Sequence, residues 1–231
     1  QGEAFSSTRP ANTQVAIGLM RAAGVRSARI SSGDSTEAWS DRVFSEVNFD
    51  EALRRMRPAG QAPGVDGYRG VLLRWAPRSV REQYRTALVK AVVDCDVPAQ
   101  WSTWCVTFIP KKDRDCSVLA NNRDLWNPPH GWKLATHCMR VDYNRVQETA
   151  LDDSQRGFRA DADAGEAASV AVLQTEQAAS LCVEAGRSYL DLKGFFMAIN
   201  RGLMWALEAE LGVQPGVTRT MRLVHDAAQG V

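Results

Sequence analysis

The stretch RPAGQAPGVDGYRG, residues 57–70, packs two prolines and four glycines into 14 residues. No helix runs through such a segment, because proline lacks the amide donor and glycine gives up the most backbone entropy. The chain must turn there, and regular structure has to be assembled on either side of it. Upstream, Phe49, Leu53 and Met56 recur at helical spacing behind Asn48 or Asp50 as a cap. Downstream, Pro77 suits the first turn of a helix reaching about Asp94, in which Val80, Tyr84, Leu88 and Ala91-Val92 share a face.

The run TWCVTFIP (103–110) is β-branched and aromatic and stops at a proline, which predicts a strand. The polar segment from Lys111 to Leu125 is expected as a hairpin or an extended loop. Helical spacing returns over Trp132–Thr149 and Gly165–Glu184, with Gly186 as a stop, and Ser188–Leu192 reads as a short buried strand. Asn200 caps a helix carrying Leu203, Leu207 and Leu211, which Gly212 ends, and Pro215 opens a last helix towards Gln229. Long helices with few strands predict a helix-rich α+β fold rather than a regular βαβ series. Residues 1–47, rich in Ser, Ala, Gly and Arg, read as a linker or the tail of a preceding region.

A chain of 231 residues with 45% apolar residues can bury one good core or two small ones. Its net charge of +1 hides an asymmetry: nine basic against two acidic residues from Arg54 to Lys90, and seven basic against twelve acidic from Val146 to the end. That suits a protein holding a polyanion with one part and cations with another; it also suits two solvated faces. The five cysteines form no CxxC pair and only three histidines exist, so a zinc site is not expected and the thiols are expected to stay reduced. No apolar run approaches the length of a membrane span, and no secretory signal pattern is visible. The first residue is Gln1, so the chain is expected to be a fragment.

Taken singly, the polar motifs are weak. PGVDG (63–67) is chain reversal or function in equal measure, FIPKK (108–112) ends a strand in two cations, and a strand aspartate such as Asp191 is more often structural. Their order is more specific. APGVDG, VPAQW (97–101), FIPKK, ANNRDLWN, WKL, QRGF and YLDLKGFFMAIN together resemble the first half of a reverse transcriptase of the non-LTR retrotransposon type. In that family a Lys-Ala-Pro-Gly-x-Asp-Gly turn, a Pro-x-x-Trp, an Ile-Pro-Lys-Lys strand end and an Asn-Tyr-Arg-Pro-Ile-Ser segment come first. A Gln-x-Gly-Phe-Arg element and a Leu-Asp-Leu strand follow.

The resemblance covers roughly Phe49 to Gln229 and implies fingers over 48–187 and the start of a palm over 188–231. It implies RNA-directed DNA synthesis on an RNA template and DNA primer, with dNTP substrates, Mg²⁺ as cofactor, no membrane partner, and an intracellular, nuclear setting. Asp191 and the Leu192 carbonyl match metal ligands, and Phe196 matches the ring that excludes a 2′ hydroxyl. Lys111 and Arg123 match the cations that grip the triphosphate, for which an ammonium and a forked guanidinium are suited. Gln155, Gly157 and Phe158 match an element that positions template and nucleotide, though core packing explains Phe158 equally well.

Departures from the family pattern carry expectations of their own. Gln61 replaces a lysine, and Met197 replaces a second aspartate. Asp124 stands beside Arg123, where it is expected to compete for the guanidinium. ADADAG (160–165) replaces a hydroxyl-bearing run. The family's aromatic-x-Asp-Asp motif is absent, so the chain alone is expected to lack polymerase activity. The alternatives are a relic that keeps only scaffold or nucleic-acid binding, and an unrelated helical interaction protein.

Overall fold

The computed structural model describes residues 35–56, 63–151, 155, 159, 163–184, 186 and 199–230. Within them lie α1 (Thr36–Val43), α2 (Glu46–Arg55), α3 (Gly70–Trp75), α4 (Arg78–Val93), β1 (Thr103–Pro110), β2 (Asn122–Asn127) and α5 (His130–Ala150). They are followed by α6 (Ala164–Ser180), α7 (Arg201–Leu211), α8 (Pro215–Asp226) and the short β3 (Gln229–Gly230). The described chain is a helix-rich α+β structure. Two compact units divide the described residues, one holding those within 35–142 and 214–230, the other those within 143–213.

The first unit is built from α1 to α4, the sheet, the first turns of α5, and α8. Its core gathers Trp39, Phe44, Phe49, Leu53, Val92 and Val224, all under 3% exposed. The linker expected over 1–47 reaches the described residues only at its end, and there it is helical. Ser35 caps α1 by accepting the Ala38 N–H at 3.2 Å, and Trp39 and Val43 are buried. Ser45 caps α2, three residues before the expected Asn48, so this helix enters the core earlier than its apolar spacing suggested. Trp39 donates its indole N–H to Asp142 of α5 at 2.6 Å, and Arg42 reaches the same carboxylate at 3.3 Å.

β1 and β2 form an antiparallel hairpin in register from Cys105 opposite Asn127 to Pro110 opposite Asn122. β3 pairs parallel to the start of β1. Beneath the hairpin, Trp101 lies 5.5 Å from Trp132 and Trp104 lies 5.2 Å from His225, ring centre to ring centre. These aromatic contacts fix the base of β1 to α5 and α8, leaving the far end of the hairpin in solvent, where Phe108 and Ile109 are exposed.

In the second unit the last turns of α5 and α7 line an open apolar pocket of about 490 Å³ formed by Val146, Leu203 and Leu207 among others. Tyr143 donates its hydroxyl to the buried Glu208 carboxylate beside it, and burial, then that contact, pushes the phenol pKa up. Asn200 caps α7 and Gly212 closes it in the left-handed conformation, both as the sequence implied. The strand expected over Ser188–Leu192 lies outside the described residues. Among the described residues no helix is long and apolar enough to cross a membrane.

Candidate functional site

The hairpin positions two of the residues singled out from the sequence. Arg123 is directly opposite Ile109. Lys111 follows two residues later, just past the end of β1, its N–H bonded to the Asn121 carbonyl at 2.9 Å. Side chains two residues apart share a face of a pleated strand, so Lys111 and Arg123 stand on one face of the ribbon. The Lys111 ammonium donates one of its three N–H bonds to the Ala120 carbonyl at 2.7 Å. Arg123 is exposed and has no ion pair among the described residues.

The connecting loop is held by its own side chains. Asp115 accepts from the Ser117 hydroxyl at 2.7 Å and N–H at 2.9 Å, and these bonds, the first most of all, lower its carboxyl pKa. Asn121 donates to the Asp115 carbonyl, and Asn122 to those of Cys116 and Val118, all within 3.0 Å. These two asparagines tie the loop to β2 directly ahead of Arg123. Their positioning role was not drawn from the sequence, although an adjacent pair of loop asparagines is a recognisable turn signal.

Asp124 does not compete for Arg123. It is opposite Phe108 in the register, hence on the other face, and it accepts the Trp126 indole N–H at 2.7 Å. A second departure also has a structural account: Asp163 of ADADAG caps α6, accepting the Glu166 N–H at 2.7 Å. Both carboxylates serve the fold.

PGVDG resolves towards architecture. Gly64 accepts the Gly67 N–H to close the turn, and Gly67 adopts a φ of 60°. A Cβ on Gly64 would stand 2.6 Å from Pro129 Cα, so only glycine fits there. Asp66 reaches across to accept the His130 N–H at 3.0 Å, capping the first turn of α5, and also accepts the Tyr68 N–H at 3.3 Å. Asn127 donates to the Pro63 carbonyl at 2.8 Å and itself accepts from Lys133. Thus the APGVDG, ANNRDLWN and WKL motifs, far apart in sequence, meet at the root of the hairpin.

The basic segment from Arg54 to Lys90 is largely neutralised. Arg54 and Arg55 pair with Glu51, Arg78 with Glu46, Arg81 with Asp50, and Arg85 with Glu82. The acids responsible lie mostly in α2, upstream of the stretch whose charge stood out. Among the described residues of the segment, Arg69, Arg74 and Lys90 remain without such partners. A uniformly basic face is therefore replaced by a few free cations.

Gln155 belongs to the other unit, where it is exposed and its carbonyl accepts from Arg159 at 3.3 Å; Arg159 also pairs with Glu148 at 2.6 Å. Gly157, Phe158, Asp191, Leu192 and Phe196 lie outside the described residues. Among the described residues no group of three or more His, Cys, Asp or Glu side chains is arranged to hold a metal ion. No family model matches this chain, and neither does any curated protein.

Proposed function

We propose that this chain is the fingers and early palm portion of an RNA-directed DNA polymerase of the non-LTR retroelement type. The observation that carries the reading is the pairing of Lys111 and Arg123 on one face of a solvent-directed hairpin, joined to the ordered series of motifs in the sequence. On this reading the hairpin grips the triphosphate of an incoming dNTP. Lys111 supplies a point charge, and Arg123 a forked pair of donors to phosphate oxygens. Phe196 bars a 2′ hydroxyl, and Gln155, Gly157 and Phe158 position the template strand. Asp191 and the Leu192 carbonyl would hold Mg²⁺, which when bound stabilises the charge on the attacking and leaving oxygens.

The test is binding of a fluorescent dNTP in the presence of Mg²⁺. A charge-assisted hydrogen bond contributes about 1.5–3 kcal/mol, so Arg123→Ala is expected to weaken binding by roughly ten-fold or more. Asp124→Asn is expected to change it by less than about two-fold, because this carboxylate serves the opposite face. Polynucleotide binding without dNTP binding would instead favour a relic that keeps only the scaffold.

A further inference from the structure

α3 presents an unusual surface. It turns Gly70 and Leu73 inward, where a Cβ on Gly70 would stand 2.8 Å from Met56 Cε, and its helical period directs Trp75 away from that buried side. Trp75 is 79% exposed and Leu72 beside it 56%. An indole this exposed at the end of a docked helix buries almost nothing for the fold. The side chains of Arg69, at the start of the helix, and Arg74, next to Trp75, make no ion pair or hydrogen bond among the described residues. The segment from Gly67 to Pro77 contains no acidic residue, and Asp66 is engaged by the His130 and Tyr68 N–H groups.

We propose that Arg69, Leu72, Arg74 and Trp75 bind a single-stranded polynucleotide, with Trp75 stacked on a base and the two guanidinium groups on flanking phosphates. Charge selects the partner: two free cations, no acidic residue from Gly67 to Pro77 and one open aromatic face match a chain that alternates phosphate with planar base. A duplex keeps its bases stacked on one another and offers no base face to Trp75. A membrane surface is a poorer match, because the exposed apolar side of this six-residue helix amounts to Leu72 and Trp75. The inference rests on the nucleic-acid part of the proposed function and assigns a grip on the strand separate from the triphosphate site.

The experiment is fluorescence anisotropy of a labelled oligouridylate with the whole chain, read beside dNTP binding. Trp75→Ala is expected to weaken RNA binding by roughly five- to one-hundred-fold, and Trp75→Phe to recover most of that affinity. Replacing Arg69 and Arg74 together with Gln is expected to shallow the log–log salt dependence by about 1.4, at ~0.7 for each phosphate no longer neutralised. None of these changes should alter Mg²⁺-dependent dNTP binding. RNA binding unchanged in Trp75→Ala and in the double Gln variant overturns the assignment, and so does a wild-type chain that does not bind the oligouridylate. Loss of binding to phosphatidylserine vesicles with RNA binding intact overturns it in favour of a membrane. Absence of dNTP binding in the wild type alongside the expected RNA effects would sink the polymerase reading and leave the strand grip standing.

Discussion

At the scale of single residues, Asp66 shows how a motif can be specific without being chemical. Its carboxylate caps a helix that begins 64 positions later, bonding the His130 N–H from a turn that only Gly64 and Gly67 allow. Asp66→Ala is expected to destabilise the first unit by about 1–2 kcal/mol, the usual loss for a helix cap, with Asp66→Asn intermediate. Urea unfolding measures this, and an unchanged midpoint for Asp66→Ala would contradict the capping role. No local rule exposes such a contact, because its two ends are joined only by the fold. Asp124 carries the same lesson: adjacency to Arg123 suggested competition, but the two-residue period of a strand sends neighbours to opposite faces.

At the scale of elements, most helices were legible where capping chemistry is local. Asn200, Gly212 and Pro215 each mark the boundary their residue type implies. α1 and α3 were not anticipated, and α6 departs from its expected bounds. Expected to run to Glu184, it ends at Ser180, and Cys182 takes a φ of 52°, a left-handed conformation that a cysteine does not advertise. Its described side chains are exposed apart from the half-buried Ala171 and Ala178, and Val172 and Leu173 face solvent. A helix of 17 residues with no fully buried side chain among its described residues is marginal in water. Its amides are therefore expected to exchange with deuterium well before those of α4, which buries Leu88 and Val92. Equal protection of the two helices would show that α6 has packing its exposure does not reveal.

At the scale of the whole molecule, the helix-rich α+β class was readable because periodicities of 3.6 and 2 residues are strong signals over long segments. Charge was less readable. The excess of basic residues after Arg54 stood out only because Glu46, Asp50 and Glu51, which pair with four of those arginines, precede it in sequence. The placement of Lys111 and Arg123 together on the hairpin was legible to the extent that both flank one predicted turn. The asparagines that shape this turn and the exposed Trp75 were not, because side-chain bonding within a loop and the open side of a short helix depend on tertiary placement.

If, as we propose, Lys111 and Arg123 hold a deoxynucleoside triphosphate for a longer polymerase, discrimination between deoxy- and ribonucleotides is the first measurement to make. Competition of unlabelled dGTP and GTP against a fluorescent dNTP, with Mg²⁺ present, compares the wild type with Phe196→Ala. The deoxynucleotide is expected to compete better in the wild type, and the preference to collapse in Phe196→Ala with dGTP affinity retained. Equal competition by both nucleotides in the wild type, or a preference untouched by the substitution, would contradict it.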